Sequence, residues 1–355
     1  MTDQPWVGRR IAYAPYGPTM EQAGDRRRFG YWAKHRDVPF ELARPGEAYD
    51  LVVLSARSDL SHWGRLAPGG PRIVFDLIDS YLDERRTAWR RLVRGTAKFA
   101  SRELSRWVLD YSAAIERMCR RADVVVCSTP EQVRRLRPLN PAVHPILDIQ
   151  DDDVRARKSG FAVDGTFNLV WEGLPYTVFQ FREISEVLQE LGREVPLALH
   201  LVTALRFGQF GGRYRQRDTA DLVRGILPGR TFLYEWNSQL ISKVITACDV
   251  ALIPIDLANP FTAAKPENKL LYFWRLGMPA VASATPAYQR VMDEAGVPLT
   301  CTTPDEWLAT LRRLATSEEL RADTAASGLR YVEEHHTSES VLRKWDAAIS
   351  AALGS

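Results

Sequence analysis

The stretch from Asn259 to Ser283 reads NPFTAAKPENKLLYFWRLGMPAVAS, and the order of its parts decides the class of fold. A polar loop carrying Lys265 and Lys269 leads into a helix opened by Pro266, Gly277 stops that helix, and a buried strand follows. Lysines around a helix start favour an anion, because unpaired N–H groups, the helix dipole and the ammonium charges act together. The same pattern also describes a solvated, charged helix start. A helix between near-continuous apolar strands, repeated along a chain, indicates a parallel sheet covered on both faces.

That alternation extends outward from the quoted stretch in both directions. Upstream of it, strands are predicted at Phe167 to Trp171, Leu197 to Thr203, Thr231 to Trp236 and Val250 to Ile255, with helices at Phe181 to Leu191 and Ser238 to Cys248. Downstream, Thr303-Pro304-Asp305-Glu306 forms a capping box before a helix, and Ser340 to Leu353 is amphipathic. The first half has its own set: strands at Arg9 to Tyr16, Val38 to Ala43, Tyr49 to Ala56, Pro71 to Ser80, Asp123 to Ser128 and Ala142 to Leu147. Helices are expected from Thr19 to Lys34, from Asp83 to Ala122 and after the Thr129-Pro130-Glu131-Gln132 capping box. Between Asp148 and Thr166 the apolar rhythm fails, which marks a linker. The expected organisation is a domain over 1–150, a linker over 151–166, a second domain over 167–338 and a terminal helix over 339–355.

Composition excludes several classes. The 355 residues include 47 Lys and Arg against 44 Asp and Glu, 45% are hydrophobic, and 22 are Gly and 21 Pro. Such a chain buries a full core, so disordered, collagenous and disulfide-stapled classes are set aside. Cys119, Cys127, Cys248 and Cys301 stand apart in apolar surroundings, which suits reduced thiols and a cytoplasmic compartment. No apolar run approaches the ~20 residues that span a bilayer, and the start MTDQPWVGRR lacks the apolar core of a signal peptide. The adjacent His335 and His336 cannot turn both rings to one metal ion from a helix, and no metal site is expected.

A net charge of +3 is too small to imply nucleic acid as a partner, but it is unevenly spread. Arg85, Arg86, Arg90, Arg91, Arg94, Lys98, Arg102 and Arg106 stand against a single acid, Glu103. As a helix, six of these recur every four residues and sweep about 200° of the circumference, with Trp89, Leu92, Val93, Phe99, Leu104 and Trp107 on much of the rest. Such a surface suits an anionic membrane interface, and it equally suits a domain helix with its apolar face in the core.

Lys269-Leu270-Leu271-Tyr272-Phe273, followed by Gly277-Met278-Pro279-Ala280-Val281-Ala282-Ser283, resembles the nucleotide-sugar glycosyltransferases of the GT-B fold, specifically the retaining glycosyltransferase family 4. Ala247-Cys248-Asp249-Val250-Ala251-Leu252-Ile253-Pro254, Val170-Trp171-Glu172-Gly173, Phe75-Asp76-Leu77-Ile78-Asp79 and Ala122-Asp123-Val124-Val125-Val126-Cys127-Ser128 are similar to further motifs of the family, in its order. The resemblance implies two Rossmann-like domains facing a central cleft, with the last helix crossing back to the N-terminal domain. It implies an enzyme that moves a sugar from a nucleoside-diphosphate donor to an acceptor hydroxyl with retention, without metal or cofactor. The acceptor would be a glycan, a lipid-linked compound or a small molecule, in cell-envelope, surface polysaccharide or glycolipid assembly at the inner membrane face.

Carried over by position, the resemblance assigns donor binding to Gly173, Arg206, Trp236, Asn237, Lys265, Glu267, Lys269 and Tyr272. Tyr272 replaces the family's ribose-binding acid, which leaves that work to Glu267 or a backbone group. The Arg and Lys usual after the first strand of the nucleotide domain are missing from Gly173 to Gln180, which shifts phosphate binding to Arg206, Lys265 and Lys269. Asp79 and Asp76 are candidates to orient the acceptor hydroxyl, with Asp79 nearer the loop, and each also reads as a helix cap or loop hydrogen bond. Gly17, Arg26 and Arg27 are acceptor-side candidates, although Arg26, Arg27 and Arg28 point in three directions on a helix. Two other readings remain: a nucleotide-sugar 2-epimerase of the same fold, or a non-catalytic module that binds a nucleotide sugar or docks a partner enzyme.

Overall fold

Two six-stranded parallel sheets organise the chain in a computed structural model, which describes residues 4–17, 19–66, 69–83, 96, 99, 104–208, 216–227 and 229–354. One unit comprises Met1–Ile149, Ala264–Pro266 and Ser338–Ser355; the other comprises Gln150–Ala263 and Glu267–Thr337. Among the described residues no helix is long and apolar enough to cross a membrane.

The first unit is built on β1 (Ile11–Ala14), β2 (Glu41–Leu42), β3 (Leu51–Ser55), β4 (Arg72–Asp76), β5 (Val124–Cys127) and β6 (Val143–Pro145). Their order across the sheet is β2-β1-β3-β4-β5-β6, so the chain reverses direction between β1 and β3. Strands β3 and β5 bury every residue, as central strands covered on both faces must. The helix Ser338–Leu353 packs on one of those faces, where Val341, Trp345 and Ile349 join Phe29, Trp32 and Trp6 in the core. Each large apolar side chain buried there contributes about 1.5–3 kcal/mol.

Two helical readings in this unit are corrected. The helix predicted from Thr19 to Lys34 is split into Ala23–Arg26 and Phe29–His35. Arg28, at φ −128° and ψ −116°, leaves helical geometry and turns its guanidinium into the core. A Cβ at Gly30 would lie 2.4 Å from the Asp25 carbonyl oxygen, so only glycine permits the return of the chain after this break. The single helix predicted from Asp83 to Ala122 is interrupted as well. Leu104 to Asp110 is irregular, Asp59 accepts the Ser105 N–H at 2.8 Å, and Asp110 caps a new helix at Tyr111–Arg121 through the N–H groups of Ser112 and Ala113. The basic surface from Arg85 to Arg106, with the membrane reading attached to it, lies almost wholly outside the described residues.

The second unit is built on β7 (Phe167–Glu172), β8 (Leu197–Thr203), β11 (Thr231–Glu235), β12 (Val250–Ile253), β13 (Ala280–Ser283) and β14 (Thr300–Cys301). A two-stranded ribbon of β9 (Arg206–Gly208) and β10 (Gln216–Asp218) stands beside it. The sheet order is β11-β8-β7-β12-β13-β14, the doubly wound arrangement whose direction reverses between β7 and β12. Both capping boxes form, at Thr129 and at Thr303. The helix expected at Phe181 to Leu191 is a 3₁₀ stretch over Pro175–Glu183 followed by an α-helix over Ser185–Glu194.

The segment after Gln150 is strapped to the second unit by named contacts. Lys158 donates from its backbone to the Leu276 carbonyl at 2.8 Å and from Nζ to the Cys248 carbonyl at 2.7 Å. Gly277, at φ +68°, both ends its helix and leaves room for Lys158, whose carbonyl oxygen would lie 3.1 Å from a Cβ there.

Candidate functional site

In doubly wound sheets a ligand lies outside the carboxyl ends of the strands where the order reverses, because the crossovers on either side leave a crevice there. In the second unit that point is the end of β7 and its neighbour β12. Lys269, in the first turn of the helix Asn268–Arg275, reaches across this end. Its Nζ lies 4.9 Å from the centroid of the Trp171 ring, which is fully buried under it. Gly173, the residue after β7, makes this possible: a Cβ there would lie 2.5 Å from Trp171 Cζ2 and 2.9 Å from Lys269 Nζ. An ammonium, a close-approaching backbone and a helix start thus converge at the reversal point, which is the composition of an anion site.

The helix that carries Lys269 begins on a buried carboxylate, Glu267. Glu267 is 2% exposed and accepts from Arg290 Nη2 at 2.9 Å. Burial pushes the Tyr288 hydroxyl pKa up, and the charges of Glu267 and Glu172 add to the rise. Tyr272 is buried, and its hydroxyl donates to the Asp153 carbonyl at 3.4 Å. Glu267 and Tyr272, both expected on the donor side, are thus buried, with one carboxylate oxygen of Glu267 on Arg290 and the Tyr272 phenol on the backbone.

Trp236 and Asn237 follow β11 at the sheet edge. The Trp236 N–H extends the ladder to the Thr203 carbonyl at 3.0 Å. Asn237 Oδ1 accepts the Gln239 N–H at 2.8 Å, shaping the turn before the helix Ile241–Thr246. Arg206 is placed on the β9–β10 ribbon, largely exposed and 3.2 Å from Asp218. Lys265 belongs to the first unit and Lys269 to the second.

In the first unit the reversal falls between β1 and β3, and the loop after β1 is held from beneath. Asp25 accepts the Tyr13 hydroxyl at 2.8 Å and the backbone N–H groups of Tyr16 at 2.7 Å and Gly17 at 3.2 Å. Arg28 lies deeper, with no exposure, at 2.6 Å from Asp76 Oδ1 and 3.0 Å from Asp148 Oδ1. Asp76, expected to orient an acceptor hydroxyl, is thus fully buried and holds an internal guanidinium instead. Asp79 stays partly exposed at the end of the following turn. Burial raises its carboxyl pKa, and the charge of Lys265 opposes the rise. Arg26 and Arg27 are half-buried, with Arg26 Nε on the Glu21 carbonyl and the Arg27 carbonyl accepting from Ile149 N–H.

Sequence reasoning missed Arg28 and Asp25. An arginine in a triplet reads as surface, and only the break at Arg28, with Gly30 two residues on, hints that one of the three turns inward.

Two Rossmann-like units, each a parallel sheet between helices, with the last helix packed on the first unit, define the GT-B fold class. Solved structures share it. A mutant of TarM from S. aureus in complex with fondaparinux, α-GlcNAc-glycerol and UDP is 10% identical, with a TM-score of 0.59 over 86% of this chain and 55% of that one. Sucrose-phosphate synthase from Thermosynechococcus elongatus is 13% identical, with a TM-score of 0.60 over 84% of this chain and 72% of that one. The trehalose-6-phosphate structure from E. coli bound with UDP-2-fluoro glucose is 14% identical, with a TM-score of 0.53 over 86% and 73%. The chain spans little more than half the length of TarM. No protein-family model matches the chain, and no curated protein sequence matches it either.

Proposed function

We propose that the chain is a glycosyltransferase that moves a sugar from a nucleoside-diphosphate donor to an acceptor hydroxyl. The observation that carries the reading is the placement of Lys269 Nζ over Trp171 and against Gly173, at the reversal point of the second sheet. When a nucleoside diphosphate leaves an oxocarbenium-like carbon, negative charge grows on the phosphate oxygens. A preorganised ammonium at that place is the largest stabilising term available, since it needs no reorganisation as the charge develops. The complexes with UDP and with UDP-2-fluoro glucose among the fold neighbours support a donor of this class.

Retention at the anomeric carbon, independence of a metal ion and a role in cell-envelope or surface polysaccharide assembly belong to the same proposal and rest on the motif resemblance. So does membrane attachment through residues 85–106. On the acceptor side, Asp79 is the carboxyl assigned to orient the attacking hydroxyl, because it remains partly exposed where Asp76 does not.

The test is incubation with a panel of nucleoside-diphosphate sugars and acceptors, following nucleotide release. Acceptor-dependent release supports the transferase, and its loss in Lys269→Ala with an unchanged melting curve supports the phosphate role. Sugar isomerisation without release would replace the reading with the epimerase. Binding with no turnover across the panel would replace it with a nucleotide-sugar-binding module.

A further inference from the structure

The two capping boxes close with different residues. At Thr303 the third helical position is Glu306, an exposed side chain whose Oε2 accepts the backbone N–H groups of Thr302 at 2.5 Å and Thr303 at 3.2 Å. At Thr129 the same position is Gln132, which is 4% exposed and accepts the N–H groups of Ser128 at 2.7 Å and Thr129 at 3.0 Å through Oε1. A carboxylate would serve that capping task equally well. What only the amide can do is donate, and Gln132 Nε2 donates to the Ile78 carbonyl at 3.0 Å, across 54 positions of the chain.

Ile78 immediately precedes Asp79 in the turn after β4, and the Gln132 box follows the neighbouring parallel strand β5. Ser128 Oγ reaches the same carbonyl at 2.9 Å, so both lone pairs of the Ile78 oxygen are engaged from one loop. The peptide bond is planar, so fixing the Ile78 carbonyl also fixes the N–H and Cα of Asp79. On its other side the Asp79 carbonyl accepts the Tyr81 N–H at 2.8 Å. The backbone that carries the Asp79 carboxyl is thus held from both directions, at the carboxyl ends of the strands, the side on which such sheets bind ligands.

We propose that Gln132 is a positioning residue for the reaction, fixing the Ile78–Asp79 peptide and through it the carboxyl that orients the attacking hydroxyl. The proposal rests on the reading of the chain as a glycosyltransferase with Asp79 in that role.

The experiment is a double-mutant cycle on the full chain with Gln132→Glu, Asp79→Asn and the two combined. Acceptor-dependent nucleotide release is followed with the donor and acceptor that give the fastest release in the panel. Gln132→Glu keeps the capping acceptor and removes only the donor to Ile78. It should lower kcat by about tenfold with the donor KM unchanged, the effect of one lost hydrogen bond on a reacting geometry. Asp79→Asn retains an acceptor oxygen and hence a residual rate, and on that background Gln132→Glu should change kcat by less than about twofold. Equal kcat in Gln132→Glu and the unaltered chain would overturn the proposal and leave the proposed function standing. So would the same factor on both backgrounds, the mark of a purely structural residue, or a loss confined to the donor KM. An Asp79→Asn chain as fast as the unaltered one would overturn it too, with transfer itself intact. No release by the unaltered chain would overturn both readings. If Gln132→Glu fails to fold, Gln132→Met, close in volume, enters the same cycle and the same outcomes decide.

Discussion

The ammonium of Lys269 rests 4.9 Å from the centre of the Trp171 indole, and nothing larger than hydrogen on Gly173 leaves it that position. Three residue types at one strand end therefore act as a unit: the indole attracts the charge, the glycine admits it, and the helix supplies it.

Gly173→Ala tests that unit. A Cβ at 2.5 Å from a fully buried indole cannot be accommodated by a flexible tip, so the ring and the lysine must both move. The expected result is a destabilisation of about 1–3 kcal/mol, as for overpacking, with nucleotide affinity reduced at least as far as by Lys269→Ala. Thermal unfolding and nucleotide titration check the two parts separately.

Arg28→Met removes a guanidinium that neutralises Asp76 and Asp148 with no exposure of its own. Two carboxylates are left facing each other in the core, and the loss should be about 3–5 kcal/mol, read by urea unfolding. Adding Asp76→Asn to that variant removes one orphaned charge and should recover part of the loss.

The stability of the second unit should fall as pH drops below the ordinary histidine value. His200 sits between the Tyr234 hydroxyl, 3.0 Å from Nδ1, and Asn168 Oδ1, 3.1 Å from Nε2. Burial lowers its pKa from the ordinary 6.5, so the unfolded chain takes up a proton more readily than the folded one. Stability is then fully present above that value and is lost as pH falls towards the depressed folded pKa. Melting temperatures of the protein and of His200→Gln between neutral and mildly acid pH should converge as pH falls. A constant difference would show that His200 does not titrate as argued.

Gly328→Ala should destabilise more than a helix propensity gain offsets. Its Cβ would lie 2.4 Å from Trp274 Cδ1, where the helix Glu318–His335 crosses the helix Asn268–Arg275. A loss of about 1–3 kcal/mol in thermal unfolding is expected, against the ~1 kcal/mol that alanine ordinarily adds over glycine inside a helix.

By itself the sequence determined the sheets, the capping boxes and the place of Gly173 and Lys269 in the order of motifs, because these depend on local periodicity and on residues close in the chain. Leu51 to Ser55 reads as a buried strand without any partner being known. What a polar side chain meets across the fold has no such local signal. Arg28 and Asp76 are 48 residues apart and indistinguishable in sequence from surface charges, yet packing leaves them no water and forces them together. The same holds for Glu267, drawn onto Arg290, and for Tyr272, turned onto the Asp153 carbonyl. Only the tertiary structure decided which charges serve the interior and which remain for a ligand, since burial requires every charge to find a counterpart and the chain alone does not reveal where.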